Sequence, residues 1–171
     1  GNQIIEVIRL HTDKTKAEAK DKLSNFIVKI GYPDKWRDYD GLVVDTCLSF
    51  VGNAMNICLW FNLDMVHKRF GKPVDHDEWG ISPQTVNAFY DPVENDICFP
   101  AGILQKPYFD MDADDAFNYG DIGVTIGHEL THGFDDEGRL FDKDGRLHNW
   151  WTDSDAAEFG KRIKVLNDFY D

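Results

Sequence analysis

Cysteine is scarce in this 171-residue chain: there are three, Cys47, Cys58 and Cys98, and they lack the close spacing of a metal knuckle. An odd set of this kind argues against a disulfide framework and predicts buried free thiols, which leans towards a reducing compartment. Basic residues are also few, 18 Lys and Arg against 31 Asp and Glu, for a formal net charge of -13. A surface of that sign repels a phosphate backbone, so nucleic acid is disfavoured as a partner and a neutral or basic ligand is favoured. No apolar run approaches the roughly 20 residues that a bilayer-crossing helix needs. No secretory leader stands at the start either, where Gly1-Asn2-Gln3 reads as a cut end. The compartment therefore stays open. Internal repeats and low-complexity linkers are missing too.

What is present is a hydrophobic content of 42% and an aromatic content of 13%, enough for one core and a second small lobe. Thr12 or Asp13 can cap a helix running to about Asn25, polar enough to be largely exposed. Phe26 to Ile30 is a short β-favouring run closed by the turn residues Gly31-Tyr32-Pro33-Asp34, and Trp36 and Tyr39 beyond it read as packing anchors. Thr46 to Phe70 has helical periodicity: Val51, Met55, Leu59 and Val66 share one side, and Phe50, Ile57 and Phe61 widen it. A face so broad predicts burial on more than one side. His67, near the end of that helix, stands where the dipole favours a cation, with metal ligation the minor alternative.

Thr85 to Tyr90 and Asp96 to Phe99 read as strands of a hairpin turning through Asp91-Pro92-Val93-Glu94-Asn95. An exposed edge of such a hairpin can hold an extended peptide by main-chain pairing, with Asn87 adding side-chain hydrogen bonds. The acidic run Asp110, Asp112, Asp114 and Asp115 lacks the glycine and terminal glutamate of a calcium loop, so it reads as a helix-capping cluster; Asp142-Lys143-Asp144-Gly145 reads as a tight turn. Thr152 to Asp155 resembles a capping box opening a final helix, with Phe159, Ile163, Leu166 and Tyr170 at helical spacing.

One stretch carries nameable chemistry. In Ile122 to Asp136, His128-Glu129-x-x-His132 puts two imidazoles one helical turn apart on one face, able to grip a single cation, with a carboxylate beside the first to act on water. Zinc suits imidazole nitrogen and in catalytic sites keeps a position open for water. Ile122, Val124, Ile126 and Leu130 make the stretch too apolar for a solvated surface helix, so the pair is expected to face a cleft. Each imidazole also needs a partner on its second nitrogen, for which Asp135 or Asp136 are in reach.

Several ordered motifs extend this local signal. Val28-Lys29-Ile30-Gly31-Tyr32-Pro33-Asp34-Lys35-Trp36, Val86-Asn87-Ala88-Phe89-Tyr90, Phe99-Pro100-Ala101-Gly102-Ile103-Leu104-Gln105, Asn118-Tyr119-Gly120, Ile126 to Asp136, Asp142 to Gly145 and Trp150-Trp151-Thr152 together resemble the neprilysin family of zinc metallopeptidases, in particular its bacterial oligopeptidase O branch. The resemblance implies a mostly helical α+β fold, a thermolysin-like (gluzincin) catalytic core with a small edge β-hairpin, faced by a second lobe that restricts access to oligopeptides. It implies zinc ligation by His128 and His132, with Glu129 as the base that activates water. Asn87 and Ala88 would bind the substrate backbone. Ile103, Tyr108, Val124 and Thr125 would line an apolar pocket for the side chain after the scissile bond. Thr125 is more polar than the usual occupant of its position, and Asp121 stands where a glycine is common.

The same resemblance sets an expectation of incompleteness. A catalytic zinc normally takes three protein ligands; the family's third is a Glu in a Glu-x-x-x-Asp helix well beyond the first motif, with a His and an Arg for transition state and substrate further on. Within these residues only Glu158, and more weakly His148, could substitute by spacing, and Glu158 has Arg162 where the family motif would place Asp. The chain is thus expected to be part of one catalytic domain, residues 1–75 supplying supporting helices and 76–171 the substrate strand and zinc helix, with the C-terminal part of the family domain lying elsewhere. Alone it would bind zinc poorly, expose apolar surface and pair with a second copy or with the remainder of the peptidase. The competing expectation is a non-catalytic module that binds peptide at its edge strand.

Overall fold

The computed structural model describes residues 12–170; Gly1-Asn2-Gln3 and the side chain of Leu166 lie outside the described residues. The described residues form two compact units, one of residues 33–80 and one that joins residues 12–32 to residues 81–170. The helix and strand that open the described residues therefore lie with the segment that carries His128 and His132.

In the larger unit, helix α1 (Asp13–Ser24) starts where the Thr12 side chain accepts a hydrogen bond from the Thr15 amide, and it stops at Asn25. Strand β1 (Ile27–Gly31) follows directly. Strands β2 (Phe89–Asp91) and β3 (Asp96–Pro100) form the predicted hairpin, but its first strand begins four residues later than expected. Residues 82–85 instead close a turn, with the Thr85 amide on the Ser82 carbonyl. That turn also receives Gly102, where a Cβ would come within 2.5 Å of the Thr85 carbonyl oxygen. The sheet order is β1-β3-β2, β1 running parallel to β3 with Ile27 opposite Asp96, and β2 antiparallel with Phe89 opposite Cys98. Central strand β3 is buried throughout, and Lys29 on β1 pairs there with Asp96.

Helices α3 (Asp115–Gly120) and α4 (Ile122–His132) come next, then a 3-10 turn at Gly138–Leu140 and helix α5 (Asp153–Tyr170). The acidic cluster does cap: Asp114 accepts from the Phe117 amide at 2.9 Å. Asp142 closes the expected tight turn by accepting from the Asp144 and Arg146 amides, with Gly145 at φ +71°. One core cluster joins Ala19 of α1 to Phe134, Trp150 and Trp151; the other joins Ala88, Ile97, Phe99, Ile103 and Ile122. Phe26 borders both, stacked on Tyr90 at 5.2 Å and on Phe134 at 5.7 Å. Asp155 ties the start of α5 to α1, accepting hydrogen bonds from the Thr12 amide and the hydroxyls of Thr12, Thr15 and Thr152. Of the predicted α5 stripe, Phe159 packs on the first core while Tyr170 is exposed.

The smaller unit is built on helix α2 (Phe50–Arg69), capped by Ser49. It starts later than Thr46 because Asp45 to Leu48 form a turn, the Leu48 amide donating to the Asp45 carbonyl. The expectation of burial on several sides does not hold: no residue of α2 is buried, and Val51 and Met55 are 64% and 67% exposed. Tyr39 packs on Trp60 and Phe61 within this unit, as an anchor should. The thiols also divide: Cys98 is buried as expected, whereas Cys47 and Cys58 are exposed, since both belong to this unit with its unburied helix.

Candidate zinc site

Helix α4 has eleven residues, three turns, and its apolar residues point in two directions. Ile122 packs inward in the sheet-side core, with Leu130 against the same cluster, while Val124 and Ile126 are exposed. The inward face also buries Glu129, which is 8% exposed. The cleft expected around the imidazoles is not formed by the described residues: both rings are exposed, the His132 side chain by 46%. Apolar flanks signalled burial of one face of the helix, and the imidazoles lie off that face.

The helix ends at His132, and Gly133 lets the chain turn there under Phe26, whose ring would lie 2.6 Å from an added Cβ. The rings of His128 and His132 stand edge to face with their Nε2 atoms 3.0 Å apart. Two imidazole nitrogens bound to one tetrahedral zinc are separated by roughly 3.3 Å, so the pair fits a shared zinc with a few tenths of an ångström of adjustment. His132 Nδ1 lies 2.9 Å from Asp135 Oδ2, while Asp135 Oδ1 accepts from the Glu137 and Gly138 amides. A carboxylate on Nδ1 selects the tautomer that leaves the Nε2 lone pair for a metal. Of the two acids in reach, Asp135 makes this contact; Asp136 is exposed, and its carbonyl accepts from Arg139.

The residues fit two thirds of a catalytic zinc site. Among the described residues no group of three His, Cys, Asp or Glu side chains could hold a metal ion. Glu158 is engaged by Lys161 at 3.3 Å and Arg162 at 3.5 Å. His148 lines a separate hollow of about 220 Å³ with Glu18, Lys22, Asp142 and Trp150. His67 sits in the last turn of α2.

The remaining predicted residues divide: Ala88 and Ile103 lie in the sheet-side core with Ile122, whereas Tyr108 and Val124 are exposed. Asn87, exposed, and Ala88, buried, lead into β2, whose other neighbour position in the sheet is an edge. Ile103 shares the core with Ala88 and Ile122, so its side chain is packed inside rather than standing free. Tyr108 accepts from the Ile122 amide at 3.2 Å through its carbonyl, at the start of α4, where Val124 and Thr125 lie one turn before the imidazoles. Sequence reasoning missed one group, Lys22. The polar composition of α1 predicts an exposed lysine, yet Lys22 is 2% exposed and its Nζ donates to the carbonyls of Gly138 and Phe141 at 2.7 and 2.8 Å. The available signal was the stripe Thr15, Ala19 and Lys22, at positions i, i+4 and i+7 of α1.

Two convergent imidazoles one turn apart on one helix, with Glu129 between them in sequence, match the His-Glu-x-x-His pattern of the metallohydrolase class of site. Residues 87–171 match the family described as Peptidase family M13. The chain is 42% identical over 165 residues to neprilysin-11 of Caenorhabditis elegans, covering 92% of this chain and 19% of that protein. It is 43% identical over 161 residues to the neutral endopeptidase of Lactobacillus helveticus, covering 94% and 25%. Among solved structures, the zinc metalloprotease Zmp1 of Mycobacterium tuberculosis in complex with inhibitor superposes with a TM-score of 0.86 and 47% identity over 96% of this chain and 25% of that one. PepO of Lactobacillus rhamnosis superposes with a TM-score of 0.84 and 40% identity, over 95% and 26%. The chain belongs to peptidase family M13, the neprilysin family. It spans about a fifth to a quarter of the length of these relatives.

Proposed function

We propose that this chain is the zinc-helix and substrate-strand portion of a zinc endopeptidase that hydrolyses oligopeptides, all of it part of one thermolysin-like catalytic domain. The observation that carries the reading is the convergence of His128 and His132, Nε2 to Nε2 at 3.0 Å, with Asp135 on the second ring and Glu129 between them in sequence. His128 and His132 would hold zinc, and a third ligand would come from a segment outside the described residues, in keeping with relatives four to five times as long. When bound, zinc brings the pKa of its water to around 7 and polarises a scissile carbonyl.

The chain's own residues do the rest. Glu129, 8% exposed, accepts the water proton and returns it to the leaving nitrogen. Asp135 fixes the His132 ring. Asn87 and the backbone at Ala88 hold the peptide main chain along the edge of β2. Tyr108, Val124 and Thr125 surround the side chain after the scissile bond, Ile103 backing them from the core, so a large hydrophobic residue is preferred there. The exposed apolar face of α2 is where the remainder of the peptidase, or a second copy, would pack. Alone, with two ligands, these 171 residues hold zinc weakly and hydrolyse little.

The test is Glu129→Gln in the whole protein, with zinc content and cleavage of a peptide carrying Phe or Leu after the scissile bond measured side by side. Zinc retained and hydrolysis lost by at least about 1,000-fold supports the reading. A folded protein that binds the peptide but neither takes up zinc nor cleaves it supports a peptide-binding module instead.

A further inference from the structure

Lys22 is a lysine held almost wholly out of water, and its surroundings say what it holds. Its Nζ donates to the carbonyls of Gly138 and Phe141 at 2.7 and 2.8 Å, and the rings of Tyr90 and Trp150 lie 5.6 and 5.7 Å from it. Burial pulls its pKa down to about 8, against the opposing pull of Asp135 and Asp142. A buried ammonium is costly unless it meets acceptors, and here it meets two backbone carbonyls of one turn. That turn is the one pressed against the end of α4: a Cβ on Gly138 would stand 1.9 Å from the His132 carbonyl oxygen and 2.6 Å from the Gly133 carbonyl carbon. The Gly138 amide in turn donates to Asp135 Oδ1 at 2.8 Å, and Asp135 Oδ2 meets His132 Nδ1 at 2.9 Å.

We propose that Lys22 is a positioning residue for the zinc site, holding the Gly138–Phe141 turn so that the Gly138 amide fixes Asp135 and Asp135 fixes the His132 ring. The proposal rests on the reading of His128 and His132 as zinc ligands. An unbroken path of contacts joins α1 to an imidazole: lysine to carbonyl, amide to carboxylate, carboxylate to ring. Partners behind a ligand typically change metal affinity 10–100-fold. Lys22 stands one step further back, and a loss near the low end of that range follows.

The experiment measures zinc affinity by chelator competition in the whole protein, for wild type, Lys22→Met, Asp135→Ala, the double variant and Asp155→Asn, each with its thermal midpoint. Lys22→Met weakens zinc about 10-fold, Asp135→Ala at least as much, and Lys22→Met adds less than about 2-fold once Asp135 is gone, because the two share one path. Asp155→Asn, which loosens α1 without touching the turn, lowers the midpoint and leaves zinc affinity unchanged. Should Lys22→Met fail to fold, Lys22→Arg keeps the charge but displaces the donors; it weakens zinc at least 3-fold, again only while Asp135 is present. Losses that multiply in the double variant, or a zinc affinity unmoved by either Lys22 substitution in a wild type that binds zinc, overturn the relay alone. A wild type that takes up no zinc overturns the peptidase reading and the relay with it.

Discussion

Helices α1 and α2 invert the usual relation between hydropathy and burial. The first is a run of Lys, Asp, Glu and Ala, yet it buries Thr15, Ala19 and Lys22. The second is 20 residues long and rich in Val, Phe, Leu and Met, yet none of its residues is buried. The difference teaches that burial in α1 comes from satisfied polar contacts: Asp155 collects the hydroxyls of Thr12 and Thr15, and two carbonyls receive Lys22. A helix of small and charged residues can lie deep when each polar group finds a partner. An apolar helix stays exposed when nothing in its own unit covers it.

The contrast can be broken most forcefully at the core. Phe134→Ala removes a ring that packs on Phe26 and Trp150, and should cost about 3–5 kcal/mol in denaturant unfolding of this chain, whereas Met55→Ala on α2 should stay within about 0.5 kcal/mol. A Met55 cost of 2 kcal/mol or more would mean that the α2 face is covered in this chain after all. Gly138→Ala comes next, at about 3 kcal/mol, because the new methyl collides with the His132 carbonyl.

Asp155 sharpens the polar side of the comparison. Burial alone would raise its carboxyl, but hydrogen bonds from Thr15, Thr152 and Thr12 outweigh that and bring it down to about 2. A carboxylate with a depressed folded pKa contributes stability fully above its unfolded value and loses it as pH falls. Asp155→Asn should therefore cost about 2 kcal/mol at pH 7, and the gap from wild type should close between about pH 4 and pH 2. A gap that persists at pH 2 would show that shape, not charge, makes the joint. The smallest effect is chemical: a disulfide reagent under native conditions should titrate Cys47 and Cys58 quickly. Cys98, buried and with its thiol pushed up to about 12 by burial and by Asp96, should react only on unfolding.

Local signals were legible in the chain itself. The Thr12 cap, the Asp142 turn, the Thr152 cap, the second strand of the hairpin and the helix that carries His128 and His132 all appear where short-range chemistry puts them. Non-local ones were not. The parallel pairing of β1 with β3 joins residues about 70 apart, and no spacing rule announces it. Lys22 looked like a solvated charge because its acceptors lie more than 110 residues away. At the site, spacing brought His128 and His132 together, but it left Asp135 and Asp136 equal until the turn after Gly133 aimed one of them at the ring.

The central claim is that His128 and His132 share one zinc, and zinc content of the whole protein after extensive dialysis tests it most directly. His128→Ala and His132→Ala should each drop bound zinc from about one per chain to near zero, while His148→Ala and His67→Ala leave it at one. Zinc that survives loss of either α4 imidazole, or disappears with His148 instead, would contradict the account.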